Sequence, residues 1–367
     1  MSGIATASLI SVCAQAVAQP SNLDARIEAL EKQVTVLADQ LEKKTATNNS
    51  TNDNIHLGGY GEIHYNNYDD GIDNKIDFHR FVLFVGHDFS DDIRFFSEIE
   101  IEHALAGEGK PGEVELEQAY IEFAVNKSLN IKGGLFLIPI GILNETHEPP
   151  TFYGTERNPI ENKIIPSTWW EGGIGANGNM GAGFSYDIAV HSGLDGGTNI
   201  RDGRQKVAEA TANQLATTMR IKYTGVAGLE IATSLQRQND MTQNDTDIID
   251  GATLFSAHIV YQGDKLGARA LYADWEFDGN SAGSKDEQQG FYIEGSYKII
   301  SQLGVFARQN IWNNSSANIS TVKNSTQTDF GFNYWAHENV VVKLDFQQQN
   351  VEAGNKDGYN IGLGYQF

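Results

Sequence analysis

The sequence predicts an all-β fold, a transmembrane antiparallel β-barrel of about sixteen strands with a short N-terminal coiled-coil helix ahead of it. Three observations carry that expectation. Apolar and polar residues alternate with a period of two in segment after segment between Ile55 and Phe367. The connections between these segments are alternately tight and long. No window holds the roughly eighteen consecutive apolar residues that a transmembrane helix needs.

Composition alone would suggest something else. The chain has 367 residues, a formal net charge of −22 and a mean hydropathy of −0.37, which read as an acidic soluble protein. A barrel whose strands face lipid on one side and water on the other leaves little trace in such averages. The acidity argues against nucleic acid as a partner, because phosphate binding needs clustered cations. The single cysteine, Cys13, excludes an intramolecular disulfide framework and a thiolate-rich metal site.

Residues 1–18 carry no charge and end in Ala16-Val17-Ala18, a small-x-small pattern that predicts a signal peptide cleaved before Gln19. Over 19–44, Ile27, Val34 and Leu41 occupy heptad position a, and Leu23, Leu30 and Leu37 position d. Either a lone amphipathic helix or a short periplasmic coiled coil between subunits fits, and the a/d choice by itself leans towards two strands. A polar linker, 45–54, follows.

From residue 55 the period is two. Leu57, Gly59, Gly61, Ile63 and Tyr65 oppose His56, Tyr60, Glu62 and His64. Ile93, Phe95, Ile99 and Ile101 alternate with Arg94, Glu98, Glu100 and Glu102, and Val342, Leu344 and Phe346 with Lys343, Asp345 and Gln347. Runs of about ten alternating residues suit a spanning strand. Between Glu113 and Val125 the phase slips near Ala119, which a bulge would explain. The tight connections predict turns at 88–91, 126–128, 177–179, 225–227, 263–264, 300–301 and 337–338. The longer ones are rich in Asn, Asp and Gly. All short turns then lie at one end of a meander and all long loops at the other, the pattern of periplasmic turns and extracellular loops. A soluble barrel this wide would expose its apolar outer face to water.

Several motifs, in this order, resemble the phosphate-selective porin O and P family of outer-membrane channels. They are Gly58-Gly59-Tyr60-Gly61-Glu62, Phe78-His79-Arg80-Phe81, Glu115-Leu116-Glu117-Gln118-Ala119-Tyr120-Ile121, Lys132-Gly133-Gly134-Leu135-Phe136 before Pro139, Trp169-Trp170-Glu171, and the terminal Phe367. The resemblance runs from Leu57 to Phe367. It implies a sixteen-stranded, homotrimeric porin of the bacterial cell outer membrane, surrounded by lipid and passing ions and small hydrophilic solutes. It also implies that Phe367 is the barrel-assembly signal.

Alternation names the candidate pore-lining groups. The basic ones are Arg80, Arg94, Lys132, Arg220, Lys222, Arg237, Arg269 and Arg308. The acidic ones are Glu62, Glu98, Glu100, Glu102, Glu115, Glu117 and Glu294. Rings of one sign set ion preference, and the carboxylates crowded on the third and fourth strands predict a general porin, weakly selective or cation-leaning. An anion- or phosphate-selective porin is the alternative, and a non-conducting barrel anchoring the outer membrane to the cell wall is a second. No nucleophile motif joins the available Ser and His residues, so no enzyme is expected. His147-Glu148 runs into Pro149-Pro150, which excludes a helical zinc motif. Neither a cofactor nor a metal is expected.

One stretch departs from the strand pattern. Residues 138–169 hold Pro139, Pro149, Pro150, Pro159 and Pro166, five of the seven prolines in the chain, and proline cannot donate to a ladder. Counting connections makes this the third extracellular loop, in-folded into the lumen. Its charges Glu145, Glu148, Glu156, Arg157, Glu161 and Lys163 are the leading constriction candidates.

Overall fold

The computed structural model describes residues 54–367 except 70, 72, 197–199, 244–250, 279–286, 315–323 and 353. The expected signal peptide, coiled coil and most of the linker lie outside the described residues.

Sixteen strands follow one another: β1 (Ile55–Tyr68), β2 (Lys75–Ser90), β3 (Ile93–Glu102), β4 (Val114–Asn126), β5 (Leu129–Leu137), β6 (Trp170–Gly181), β7 (Phe184–His191) and β8 (Ala216–Val226). The second half comprises β9 (Leu229–Gln238), β10 (Ala252–Gln262), β11 (Leu266–Phe277), β12 (Glu287–Ile300), β13 (Leu303–Asn313), β14 (Ser325–His337), β15 (Val340–Asn350) and β16 (Gly358–Gln366). Each pairs antiparallel with its sequence neighbours, and β16 returns to β1 to close the barrel. Phe367 completes the seam by exchanging backbone hydrogen bonds with Gly59 at 3.0 and 2.9 Å. Closure leaves no unpaired edge, the condition for strands to cross a bilayer.

Alternation places the side chains as the sequence predicts. Leu83, Ile99, Ile131, Met219, Ile259, Phe291, Phe330, Phe346 and Ile361 face outward and are exposed, whereas Glu62, Arg80, Glu98, Glu100, Arg220, Arg308, Asp329 and Lys343 face inward and are buried. An outward apolar belt of this kind requires lipid around it. No described helix is long and apolar enough to cross a membrane. One sequence expectation shifts. The β6–β7 turn lies at Ala182–Gly183 rather than 177–179, because the glycine-rich β6 runs on to Gly181 without an alternating pattern to mark its end. The bulge expected near Ala119 falls between Leu116 and Gln118 of β4, opposite Glu98 and Ile99.

Residues 138–169 form no strand and enter the barrel. A single 3-10 turn at Pro149–Thr151 and a short helical turn at Ile160–Ile164 are their only regular pieces. Ile138, Ile140, Ile160, Ile164, Ile165 and Trp169 pack with Leu254, Leu271, Ala273, Trp275, Tyr292 and Trp312 of β10 to β13 in one apolar cluster. Gly290 lets the loop come this close, since a Cβ there would sit 2.8 Å from Ile160 and 3.1 Å from Ile164. Buried backbone groups need partners, and here side chains supply them. Asn144 bonds the Ile138 and Trp169 carbonyls and accepts from the Trp169 N–H at 2.7 Å. Wall residues supply others: Ser234 to the Pro139 carbonyl, Trp275 to that of Ile164, Asn333 to that of Phe152 and Lys343 to that of Gly154.

Candidate functional site

The in-folded loop divides the lumen into unequal spaces. A cavity of about 690 Å³ opens among the strand ends bearing Tyr68, Lys75, Asp77 and Gln349, on the side of the long loops. Another of about 530 Å³ lies by the tight turns at Gly263, Ser301, Gln302 and Glu338, beside Pro150 to Tyr153. A third and smaller one, about 120 Å³, lies against β1 to β4 and is closed on its other side by the in-folded loop and by the β7–β8 loop. It shares His79, Glu156, Arg157 and Asn162 with the first space and Phe152 with the second. This is the candidate constriction.

Two sets of charges meet there. Glu62, Arg80, Glu100, Glu102, Glu115 and Glu117 come from the wall, and Glu156, Arg157, Arg201, Arg204 and Lys206 from the two loops. The wall carboxylates are mostly compensated. Glu62 pairs with Arg80 at 3.0 Å and with His64 at 3.0 Å, and Glu100 lies 3.7 Å from Arg80. Lys206 binds Glu113 at 2.6 Å and also Glu115. Glu156 accepts from Asn66 at 2.9 Å and contacts His64 at 3.1 Å. Enclosure alone would raise its pKa, but the His64 contact outweighs that and holds it at about 2.

Three guanidinium groups stand apart. Among the described residues, Arg157, Arg201 and Arg204 form no ion pair. Arg201 donates to the Asn162 and Ser167 carbonyls at 3.3 and 2.7 Å, and Arg204 to the Thr168 carbonyl at 2.5 Å. One terminal nitrogen of Arg157 is buried without a hydrogen bond. Desolvation and the repulsion of Arg204, Arg157 and Arg80 pull the Arg201 pKa down to about 9, and desolvation followed by Arg80 lowers that of Arg157. Desolvation also lowers the pKa of Arg204, against the opposing pull of Glu115, Glu117, Glu102 and Asp202.

The structure sorts the candidate residues read from the sequence. Arg80, Glu100, Glu102, Glu115, Glu117, Glu156 and Arg157 meet at the constriction. Lys163 lines the wide outer space and Arg269 the inner one. Arg94 reaches Glu122 at 3.6 Å beside a tight turn, well away from the candidate constriction. Lys132 lies over the Tyr120 and Phe136 rings, and Lys222 faces Glu230 at 4.0 Å. Four further candidates make other contacts. Glu161 is fully buried and accepts from the Ile142 and Leu143 N–H groups at 2.6 and 2.5 Å, so it holds the loop instead of facing solute. Arg308, buried between Glu294 and Asp329, donates to the Tyr153 carbonyl and anchors the loop. Glu145 is neutralised by Arg220, itself paired with Asp187 at 2.8 Å. Glu148 opens the Pro149–Thr151 turn, and its carbonyl accepts from the Thr151 N–H and hydroxyl. Sequence reading missed Arg201, Arg204 and Lys206, because loop residues have no period. Three cations within six residues of an acidic chain were the available signal.

No family model matches the chain. A protein of Aquifex aeolicus, described as uncharacterized, is 30% identical over 362 residues, covering 85% of this chain and 80% of that protein. Among solved structures, the outer membrane channel DcaP of Acinetobacter baumannii superposes with a TM-score of 0.59 at 14% identity, over 85% of this chain and 97% of that one. The anion-selective porin from Comamonas acidovorans gives 0.60 at 12%, over 85% and 99%. The likeness is one of architecture, the closed antiparallel barrel of bacterial outer-membrane porins. Together with the apolar belt it places the barrel in the bacterial outer membrane.

Proposed function

The chain belongs to one family with the Aquifex aeolicus protein, and from that premise and the barrel we propose that it is a porin with an anion-leaning constriction. It passes ions and small hydrophilic solutes by passive diffusion. The single observation that carries the preference is the set of Arg157, Arg201 and Arg204, without an ion-pair partner among the described residues, against wall carboxylates of which Glu62, Glu100 and Glu115 are already paired. Counting acids on the strands favours the opposite, cation-leaning reading. That count gives paired and unpaired charges equal weight, whereas a permeating ion responds to the uncompensated field. The anion preference stated for the Comamonas acidovorans porin agrees with this reading, as does the sequence resemblance to phosphate-selective porins. Assembly as a trimer, a coiled coil over 19–44 and the role of Phe367 in barrel assembly belong to the same proposal.

Purified protein in a planar bilayer under a KCl gradient should give an anion-selective reversal potential. Arg201→Gln with Arg204→Gln should move it towards cations without abolishing conductance. A cation-selective wild type would overturn the reading, and a wild type that passes no current would replace it with a structural barrel.

A further inference from the structure

The in-folded loop meets the wall at one place where the hydrogen-bond count does not close. His147 of the loop is buried against Glu98 of β3 and Glu117 of β4, all three at most 4% exposed. Its Nδ1 lies 3.2 Å from the Asn144 carbonyl. A carbonyl can only accept, so Nδ1 carries the proton and Nε2 presents a lone pair. That lone pair points at Glu98 Oε1, 3.6 Å away, and at Glu117 Oε2, 3.8 Å away. None of the three atoms has a hydrogen-bond partner, and all three are buried. Gln118 occupies the other oxygen of Glu98, at 2.7 Å.

Three buried acceptors converging on one point need something positive between them. With the imidazole neutral, one water has only two protons for the three acceptors. A proton on Nε2 would have to bridge 3.6 or 3.8 Å, beyond hydrogen-bond reach. A first-row divalent ion answers both objections. Bonds of about 2.0–2.2 Å to nitrogen and oxygen in tetrahedral geometry put the ligand atoms about 3.4 Å apart; Nε2 stands a few tenths of an ångström farther than that from each carboxylate oxygen, and all three atoms lie within 4.8 Å of one another. Two carboxylates match the ion's charge, and the Nδ1 bond to a backbone carbonyl is the outer-shell contact that orients a ligating imidazole. Neither other close group of metal-ligating side chains among the described residues has such orphaned atoms. In one, His103 already bonds Asp77 at 2.7 Å, and in the other Glu113 and Glu115 share Lys206.

We infer that His147, Glu98 and Glu117 form a site for a divalent transition ion of the zinc type, which pins the in-folded loop to the wall beside the constriction. Full-length protein stripped with a chelator and titrated with ZnCl2 against a chromophoric competitor should take up one tightly held Zn2+ per chain. His147→Ala and Glu117→Gln should each weaken that binding by more than the roughly 10–100-fold lost with an outer-shell partner, while His103→Ala leaves it unchanged. Heat-modifiable migration on gels verifies that each variant has folded. Zinc-edge absorption of the loaded wild type gives a second measurement that needs no variant, and should show a nitrogen/oxygen shell with a single imidazole. No tight Zn2+ in the wild type, binding indifferent to His147→Ala, or a shell with two imidazoles would each overturn the assignment.

Discussion

Strands β1 to β4 and strands β10 to β13 obey the same alternation, but only the second group adds a broad apolar surface to its buried charges Glu294 and Arg308. The first group turns inward Glu62, His64, Arg80, Glu98, Glu100 and Glu117. From the second come Leu254, Leu271, Ala273, Trp275, Tyr292 and Trp312. The in-folded loop takes its place accordingly, its isoleucines and Trp169 seated on the apolar side and Glu156 and Arg157 left towards the ionic side. A barrel lumen need not be uniformly polar. One part of the wall can serve as a core for the loop, and the remainder then sets the field a solute meets.

The largest test of that division is Trp275→Ala. It removes a fully buried indole and its bond to the Ile164 carbonyl at 2.9 Å. It should cost about 3–5 kcal/mol, read as protease sensitivity within 138–169 and larger single-channel conductance. Heat-modifiable migration should persist, because the ladders between strands are untouched. Loss of the barrel itself would mean that the apolar side supports more than the loop. Glu161→Gln should do less. Its carboxylate collects Ile142 N, Leu143 N, Asn158 at 3.1 Å and Tyr292 Oη at 3.0 Å. An amide leaves at least one buried donor facing another, at about 1–3 kcal/mol, visible as faster cleavage of the loop but not as a changed reversal potential.

The smallest effect lies on the ionic side and depends on pH. The folded pKa of Glu156, about 2, is depressed below the ordinary 4.5. The stability it contributes is therefore fully present above about 4.5 and is lost as the pH falls through about 2. Because this carboxylate is partly open to water, the loss should be modest. Proteolysis near residue 156 should increase only below about pH 4.5 in the wild type, and Glu156→Gln should remove that dependence. A wild-type rise near pH 6 would shift the effect to another group.

The barrel was legible because each strand is half in lipid and half in water, which writes a period of two into residues such as Val340 to Gln347. It blurred at β6, where five glycines in twelve residues carry no such mark. The in-folded loop was legible from its prolines and its place in the count of connections. Its charges were not, because burial decides them: Glu161 and Arg157 look alike in sequence, yet one is a brace inside the loop and the other borders the candidate constriction. Arg201 and Arg204 reach the constriction only once β7 and β8 bring their loop over it. His147 precedes Pro149-Pro150, and its partners lie on β3 and β4, beyond the reach of any local spacing.

The loop's partners set an order of events. Residues 138–169 are tied at one end of their contact list to Glu98 and Glu117, and at the other to Asn333, Lys343 and Asp345, on strands made some two hundred residues later in the chain. The loop can gather all of these only once the first and last strands have met. The seating of the loop is therefore completed only with ring closure, although its apolar half has its partners on β10 to β13 before the seam is joined.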